Sequence, residues 1–282
     1  MNVISLLLSL ILLTPIAINA QSVSLTQRWQ SLFNGKDLSG WETYLDRPYT
    51  TGNSSAKAAP LGLNNDPNHV FSVTTVDGQP VLRISGETFG GINTLAEFEN
   101  YHLRMEFRWG TLKWPPKLDR PRDSGLLYHS VGPHGTPMLW MESFEFQVQE
   151  GDTGDYWGVM DVLADISAQK NDKGNYVYRP GVSPVTFQDK TPAGRWCIKN
   201  PDSEKPSGQW NVLDLYCFGD TCLHVLNGTV NLMLTRTRHL VDGQVMPLTK
   251  GKIQIQSEGA EVFYRNIQIQ AIKQLPATLR RQ

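Results

Sequence analysis

The chain has 282 residues, of which 40% are hydrophobic and 19% are charged, and this balance excludes an intrinsically disordered protein. Its 26 Lys and Arg residues against 27 Asp and Glu residues give a net charge of −1, which provides no electrostatic footprint for nucleic acid or an acidic membrane surface. The 24 glycines, 17 prolines and 10% aromatic residues are typical of many short strands joined by turns.

The first segment is apolar: residues 1–20 carry no charge and end in Ala20. Pro15 interrupts this stretch, whereas a membrane-spanning helix needs about 20 unbroken apolar residues. We therefore expect a signal peptide over 1–20, no membrane span, and a secreted or periplasmic protein. Residues 21–282 suffice for a single β domain with a substantial core, and the sequence specifies no oligomeric state.

Alternation of apolar and polar residues predicts antiparallel strands with one buried face. The alternation is loose at 81–85. It is clear in four further segments: 103–108, 144–149, 253–256 and 267–270. The stretch 151–208 shows little strand character apart from a brief strand at 176–178, and we expect at most a short helical turn at 162–170. Long loops such as 114–122 and 132–137 usually carry function. The predicted fold is an all-β sandwich with long loops.

Three cysteines follow in the second half of the chain. Cys217 and Cys222 flank a four-residue loop that would place them on facing strands, which favours a disulfide between them and leaves Cys197 a buried free thiol. The alternative is three unpaired cysteines in the core. Because no paired Cys-x-x-Cys spacing occurs, the cysteines do not predict a metal site.

Five groups of motifs then resemble, in the right order, the 3-keto-disaccharide hydrolase domain family. They are WQSLFNGKDLSGW at 29–41, DSGLLYH at 123–129, EFQVQEGD at 145–152, WN at 210–211 with LHVLNG at 223–228, and GKIQIQ at 251–256 with VFYRNI at 262–267. The resemblance covers roughly 29–272. It implies a concanavalin A-like jelly roll of two curved antiparallel sheets, with a substrate groove on the concave face.

The same resemblance implies an enzyme acting on oxidised (3-keto) disaccharides or glycosides, as a hydrolase, a lyase or a hydratase. Some members of the family are described as needing a divalent metal ion, so a metal is a possible cofactor here. An ordinary glycosidase needs two carboxylates flanking the scissile bond. Glu145 shares its strand face with Gln147 and Gln149, which are amides, and this absence of a second carboxylate argues against that class.

A 3-keto sugar needs only one base and one electrophile. The ketone acidifies the proton on carbon 2, so a base can start elimination at carbon 1 while a cation or metal ion stabilises the charge that develops. We take Glu145 and His129 as catalytic candidates and, together, as candidate metal ligands. His129 ends a strand after Leu127 and Gly125, on the same side by alternation. The alternative role for Glu145 is a salt bridge to an arginine on a neighbouring strand, and the alternative role for His129 is that of a hydrogen-bonded structural histidine.

Substrate-binding candidates are chosen for their ability to bind sugar hydroxyls or to stack on sugar rings. They are Arg104, Arg108, Gln147, Trp140 and His224. The two arginines bracket Glu106 and are equally typical of a solvated strand face. Three other histidines, His69, His134 and His239, show no companion pattern and are given no role. A non-catalytic carbohydrate-binding module and a conventional glycoside hydrolase are the competing functions.

Overall fold

The computed structural model describes residues 25–49 and 59–279. The predicted signal peptide, 1–20, lies outside these residues. None of the described segments forms a helix long and apolar enough to cross a membrane.

The described chain forms twenty strands, numbered in chain order. They are β1 (Gln30–Ser31), β2 (Trp41–Leu45), β3 (Gly62–Leu63), β4 (Phe71–Val76), β5 (Gln79–Ile84), β6 (Gly90–Thr94), β7 (Tyr101–Lys113), β8 (Asp123–Val131), β9 (Glu142–Gln149), β10 (Tyr156–Val159), β11 (Val162–Lys170), β12 (Tyr176–Tyr178), β13 (Pro184–Phe187), β14 (Trp196–Cys197), β15 (Asn211–Phe218), β16 (Thr221–Leu226), β17 (Thr229–Val241), β18 (Gln244–Pro247), β19 (Lys252–Ser257) and β20 (Ala260–Ala271).

These strands form two sheets. The twelve-stranded sheet has the order β12-β11-β17-β16-β15-β7-β20-β5-β4, with β1 paired to β20, β13 to β11 and β18 to β17. The eight-stranded sheet has the order β14-β10-β9-β8-β19-β6-β2-β3. The ladders that build them are antiparallel. This arrangement confirms the predicted concanavalin A-like jelly-roll sandwich.

The core lies between the sheets and is built by alternation along each strand. Leu103, Met105 and Phe107 of β7 are fully buried on the inner face of one sheet, and Phe144 and Phe146 of β9 are fully buried on the inner face of the other. Burying each such side chain contributes about 1.5–3 kcal/mol. The side chains between them must point to the outer faces, because the strand period is two.

The stretch 151–208 is richer in strands than the sequence predicts. The brief strand at 176–178 is confirmed as β12, but the helical turn expected at 162–170 is wrong, because Val162–Lys170 is the strand β11. Its buried positions alternate, with small alanines between larger residues at Val162, Ala164, Ile166 and Ala168. Alanine has a low preference for strands, so the alanines obscure the alternation of buried and exposed residues that would indicate a strand.

The cysteine prediction is half right. Cys217 and Cys222 do face each other across β15 and β16, and Cys197 is a buried free thiol as expected. However, Cys217 and Cys222 are also free, so the structure does not contain the predicted disulfide.

Candidate active site

The outer face of the eight-stranded sheet is polar and yet buried. Five of its outward polar side chains are no more than 8% exposed, and they are Glu145 and Gln147 of β9, Gln254 and Gln256 of β19, and Asn93 of β6. We call this surface the polar face. Polar groups buried away from the core need hydrogen-bond partners from protein, solvent or ligand, so such a surface is a candidate binding site.

Two loops cover the polar face. Loop 114–122 lays Lys117 against the carboxylates of Asp123 and Glu258. Loop 132–141 brings in Trp140, whose indole Nε1 donates a hydrogen bond to the Gly90 carbonyl at 2.9 Å. The long loops noted in the sequence therefore frame the polar face.

Glu145 is the most unusual residue of the polar face. Among the described residues its carboxyl group has no hydrogen-bond or ion-pair partner, although the side chain is almost completely buried. A Cβ added at Gly125, on the neighbouring strand, would lie 2.2 Å from Glu145 Oε1, so any larger residue there would displace the carboxyl group from its present position. Burial, together with the negative charges of Glu258 and Asp123, raises the pKa of Glu145 well above its usual range.

A small cavity opens beside this carboxyl group. It has a volume of about 60 Å³ and is lined by Met138, Trp140, Glu145, Trp157, Gly158, Val159 and Arg195. Trp157 lies opposite Glu145 in the β9–β10 ladder and stacks on Trp196 with ring centroids 5.6 Å apart. The Arg195 guanidinium lies 5.5 Å from the centroid of a Trp157 ring. A base, a cation and flat aromatic surfaces therefore meet at one point, and this combination suits a sugar ring.

Lys117 links two further carboxylates beside Glu145. Its ammonium group contacts both Asp123 and Glu258. Burial raises the pKa of Glu258 to about 7, and burial also raises the pKa of Asp123 despite the attraction of Lys117. Burial alone would lower the pKa of Lys117, but the two carboxylates raise it, so this side chain stays cationic. A second cavity, of about 440 Å³, is lined by Pro116, Lys117, Arg120, Pro121, Asp123 and Gln149.

The carboxylates of the polar face do not fit a divalent metal ion. Asp123 and Glu258 would be natural oxygen ligands, but the Lys117 ammonium group already lies between them. His129 and Glu145, the ligand pair predicted from the sequence, point to opposite faces of the eight-stranded sheet, so the sheet itself separates them. We therefore derive no chemical step through a metal at this site.

A second polar cluster lies toward the other edge of the same face. Glu42 Oε1 accepts hydrogen bonds from Lys252 Nζ at 2.5 Å and from His134 Nε2 at 3.2 Å. Burial opposes ionisation of Glu42, but these two partners lower its pKa overall. Tyr44 stacks on the His134 ring, with centroids 5.5 Å apart and planes 8° apart. This cluster has its charges paired and is suited to holding hydroxyl groups rather than moving protons.

His129 does not lie on the polar face, although alternation predicts it there. The β8 ladder is irregular after Tyr128, and His129 itself has a φ of +50°, in the left-handed region. This bulge turns the imidazole inward, where it contacts Tyr101 and Phe144 edge-to-face. The structure therefore does not bring His129 together with Glu145.

His224 also lies between the sheets. Its Nδ1 is 3.3 Å from the Gly154 carbonyl, its Nε2 is 2.9 Å from Tyr128 Oη, and its ring stacks on Phe146 at 4.2 Å. Burial lowers the pKa of His224 to about 3, which keeps the imidazole neutral. The structure gives it no access to a substrate on the polar face.

The two predicted arginines lie on the far side of the molecule. Arg104 and Arg108 alternate with core residues of β7 and point outward from the twelve-stranded sheet. Arg104 pairs with Asp214 at 2.7 and 3.0 Å, and Arg108 pairs with Asp77 at 2.8 Å. Both sheets separate these side chains from Glu145.

Two of the five substrate-binding candidates share the polar face with Glu145. Gln147 lies next to it on β9, and its Oε1 accepts a hydrogen bond from the backbone N–H of Val148 at 3.0 Å. Trp140 lines the same small cavity.

Sequence reasoning gave no role to four residues that the structure places on the polar face: Lys117, His134, Arg195 and Glu258. All four lie in loops or turns, where period-two alternation gives no information. The sequence feature that could have indicated this part of the polar face is the pairing of β8 with β9, because it places Gly125 and Asp123 beside Gln147 and Gln149.

Solved structures with related folds share little sequence with this chain. A provisionally assigned glycosyl hydrolase from Parabacteroides distasonis ATCC 8503 is 17% identical, with 87% of this chain and 94% of that chain covered and a TM-score of 0.48. The Bacillus licheniformis beta-glucanase is 12% identical (88% and 99% covered, TM-score 0.39), and the carbohydrate-binding module CBM66 from Bacillus subtilis is 9% identical (71% and 92% covered, TM-score 0.39). At these values the similarities specify neither substrate nor reaction.

No curated protein matches the sequence. By contrast, the sequence profile of the 3-keto-alpha-glucoside-1,2-lyase-like domain matches residues 28–270, nearly all of the described chain. The motifs that carry the resemblance, including 123–129 and 145–152, form β8 and β9 and thus the centre of the polar face. The chain therefore belongs to the carbohydrate-active family of 3-keto-alpha-glucoside-1,2-lyase-like domains.

Proposed function

We propose that this protein cleaves 3-keto-glycosides by elimination on the polar face, with Glu145 as the base. The observation that supports this most is the isolated, buried carboxyl group of Glu145, whose pKa is raised well above its usual range. A carboxylate forced to ionise in such surroundings is a much stronger base than a solvated one. Family membership supports the choice of 3-keto-glycosides as the substrate class of this proposal.

The reaction begins at carbon 2 of the sugar. The Glu145 carboxylate removes the proton that the neighbouring ketone acidifies, and the electron pair moves into an enolate across carbons 2 and 3. Arg195, which lines the same cavity, is the cation that we assign to the developing negative charge. The carbon 1–oxygen bond then breaks, leaving a carbon 1–carbon 2 double bond. The departing alkoxide takes the proton back from Glu145.

The product of this step is a keto-glycal and a free alcohol. Addition of water across the new double bond would complete an overall hydrolysis, so one site can support lyase and hydrolase outcomes. In this proposal Trp157, which stacks on Trp196, packs against the sugar ring, and the larger cavity beside Lys117 takes the second sugar or aglycone.

The test uses an aryl 3-keto-glucoside, its carbon-2 deuterated form and the unoxidised parent. Elimination predicts release of the aryl group from the keto substrate only, with a primary isotope effect at carbon 2. Glu145→Gln should lower kcat about 10²–10⁴-fold, the usual size of a general-base contribution. Glu106→Gln, on the outer face of the other sheet, is the matched control and should keep full activity.

A conventional glycoside hydrolase is the second candidate, and one observation favours it. The negative charges of Asp123, on β8, and Glu258, just after β19, raise the pKa of Glu145, so carboxylates from outside β9 provide the second acid that β9 alone lacks. Cleavage of the unoxidised parent, without an isotope effect at carbon 2, would establish that function instead. Binding of both sugars without cleavage of either would identify a carbohydrate-binding module.

A further inference from the structure

We propose that His129, Cys217 and Cys222 form a structural zinc site inside the sandwich, separate from the polar face. The ligand atoms of these three residues all lie within 4.8 Å of one another, and all three side chains are buried. Within the described part of the chain this is the group of residues arranged to hold a metal ion.

The three residues come from both sheets. Cys217 and Cys222 lie directly opposite each other on β15 and β16 of the twelve-stranded sheet, and His129 reaches them from β8 of the eight-stranded sheet. Tetrahedral zinc with bond lengths of about 2.3 Å to sulfur and about 2.0 Å to nitrogen holds its ligand atoms about 3.5–4 Å apart. The ligand atoms of the trio therefore need to approach one another by about 1.3 Å at most to bind the ion.

Within the described chain, no hydrogen bond of good geometry accounts for the buried imidazole of His129. Among the described residues, neither of its ring nitrogens makes a hydrogen bond of good geometry, although the side chain is fully buried. Leaving a buried polar atom unpartnered costs about 1–3 kcal/mol, which an ion bound by the imidazole would remove. The hydroxyl of Tyr101, whose ring contacts His129, is likewise buried without a hydrogen bond of good geometry, so the trio lies among unsatisfied polar groups.

The backbone is built to aim this histidine inward. Its left-handed φ of +50° is unusual for a non-glycine residue and turns the side chain from the polar face to the core. A Cβ at Gly251 would lie 2.4 Å from the His129 carbonyl carbon, so the neighbouring strand end accommodates this bulge only because it carries glycine. The left-handed backbone at His129 and the glycine at position 251 together allow the imidazole to point into the core.

The chemistry of the trio selects the ion. Thiolate and imidazole ligands favour zinc and copper(I) over magnesium or calcium. Two thiolates, one neutral imidazole and Zn²⁺ sum to zero charge, whereas the same ligands with Cu⁺ leave a net negative charge in the core. Binding releases the two thiol protons. A Cys217–Cys222 disulfide is the competing arrangement, and it would leave the His129 imidazole without a partner.

The test is the metal content of the full-length protein, purified without chelator from cells supplied with zinc. The site predicts about one zinc per chain, together with a denatured mass that shows three free thiols. Cys217→Ser and Cys222→Ser should each reduce bound zinc at least about tenfold. Cys197→Ser removes a buried thiol outside the trio and is the matched control, with zinc content unchanged.

Cobalt substitution keeps the proposal testable if the serine variants do not fold. Co²⁺ bound to the wild-type protein should give thiolate-to-cobalt charge-transfer bands in the near ultraviolet, which excess zinc removes. A denatured mass two hydrogens lighter, showing a Cys217–Cys222 disulfide, would overturn the proposal. Three free thiols that take up neither zinc nor cobalt would overturn it as well.

Discussion

The two outer faces of the sandwich carry similar residues in opposite circumstances. On the twelve-stranded sheet, Asp214 is buried but accepts hydrogen bonds from His102 at 2.6 Å and from Arg104 at 2.7 Å. Burial alone would raise the pKa of Asp214, but these partners lower it overall. On the polar face, Glu145 is equally buried, has no such partner, and has a raised pKa.

The difference separates charges that hold the fold from charges that are available for chemistry. A carboxylate with a dedicated cation has a low proton affinity and is suited to anchoring neighbouring strands. A buried carboxyl group without one weakens the fold, and such groups cluster at functional sites. The contrast between partnered and unpartnered carboxylates is therefore better evidence for a site than the presence of charge alone.

After the loss expected for Glu145→Gln, the largest effect should come from the cation beside Glu145. Arg195→Gln is expected to lower kcat/KM on the 3-keto substrate about 10²–10³-fold, because it removes the group that stabilises developing negative charge. Arg108→Gln, on the other outer face, should leave kcat/KM unchanged. Steady-state kinetics on the two variants measures both. Equal losses would mean that the twelve-stranded sheet also contacts substrate.

Lys117 should matter for stability on the polar face. Lys117→Met leaves Asp123 and Glu258 buried without their cation, which should cost about 3 kcal/mol of unfolding free energy at pH 8. The loss should be smaller at pH 5, because Glu258, with a pKa of about 7, is then protonated. Urea unfolding at both pH values measures this, and adding Glu258→Gln should restore part of the stability at pH 8. A loss independent of pH would point to packing instead.

Glu145 should show the reverse behaviour, losing activity but gaining stability when it is replaced. Its pKa is raised in the folded state, so its stabilising contribution is complete below the ordinary glutamate pKa and is lost as pH rises through the raised value. Glu145→Gln does not titrate and should therefore be more stable than wild type by about 1–2 kcal/mol at pH 8, with a smaller difference at pH 4. Urea unfolding checks the sign.

The control for that gain is Glu106→Gln. Glu106 accepts hydrogen bonds from Arg265 and Asn266 at 2.8 Å, so its replacement removes an ion pair and should bring no gain at either pH. A similar stabilisation in both variants would show that loss of net negative charge, rather than the site, is responsible.

The fold was predictable from the sequence because alternation of apolar and polar residues shows which face of an antiparallel strand is buried. Phe144, Phe146 and Val148 specify the inner face of β9, and Glu145 follows on the outer face without further information. The same rule failed at His129, because one bulged residue reverses the direction of its side chain. It also failed at β11, where alanines weaken the pattern.

The site was predictable only in part, since alternation places a residue on a face without saying which sheet bears the groove. Arg104 and Glu145 both alternate outward, yet they lie on opposite sides of the molecule. Residues in loops, such as Lys117 and Arg195, follow no hydrophobic periodicity that would identify their positions. Their roles depend on contacts between residues that are far apart in the sequence, such as the contact between Lys117 and Glu258, more than a hundred residues apart.

The smallest effect should come from Arg104. Its side chain is 43% exposed, so solvent screening holds the value of its pairing with Asp214 to about 0.5–1 kcal/mol. Arg104→Gln should lose about that much stability, and less at high salt, while Asp214 keeps its hydrogen bond from His102. Activity should not change, because the arginine lies behind both sheets from Glu145. A variant with normal stability and a raised KM would instead return Arg104 to the substrate-binding role that its strand pattern predicts, and would place sugar contacts on both outer faces.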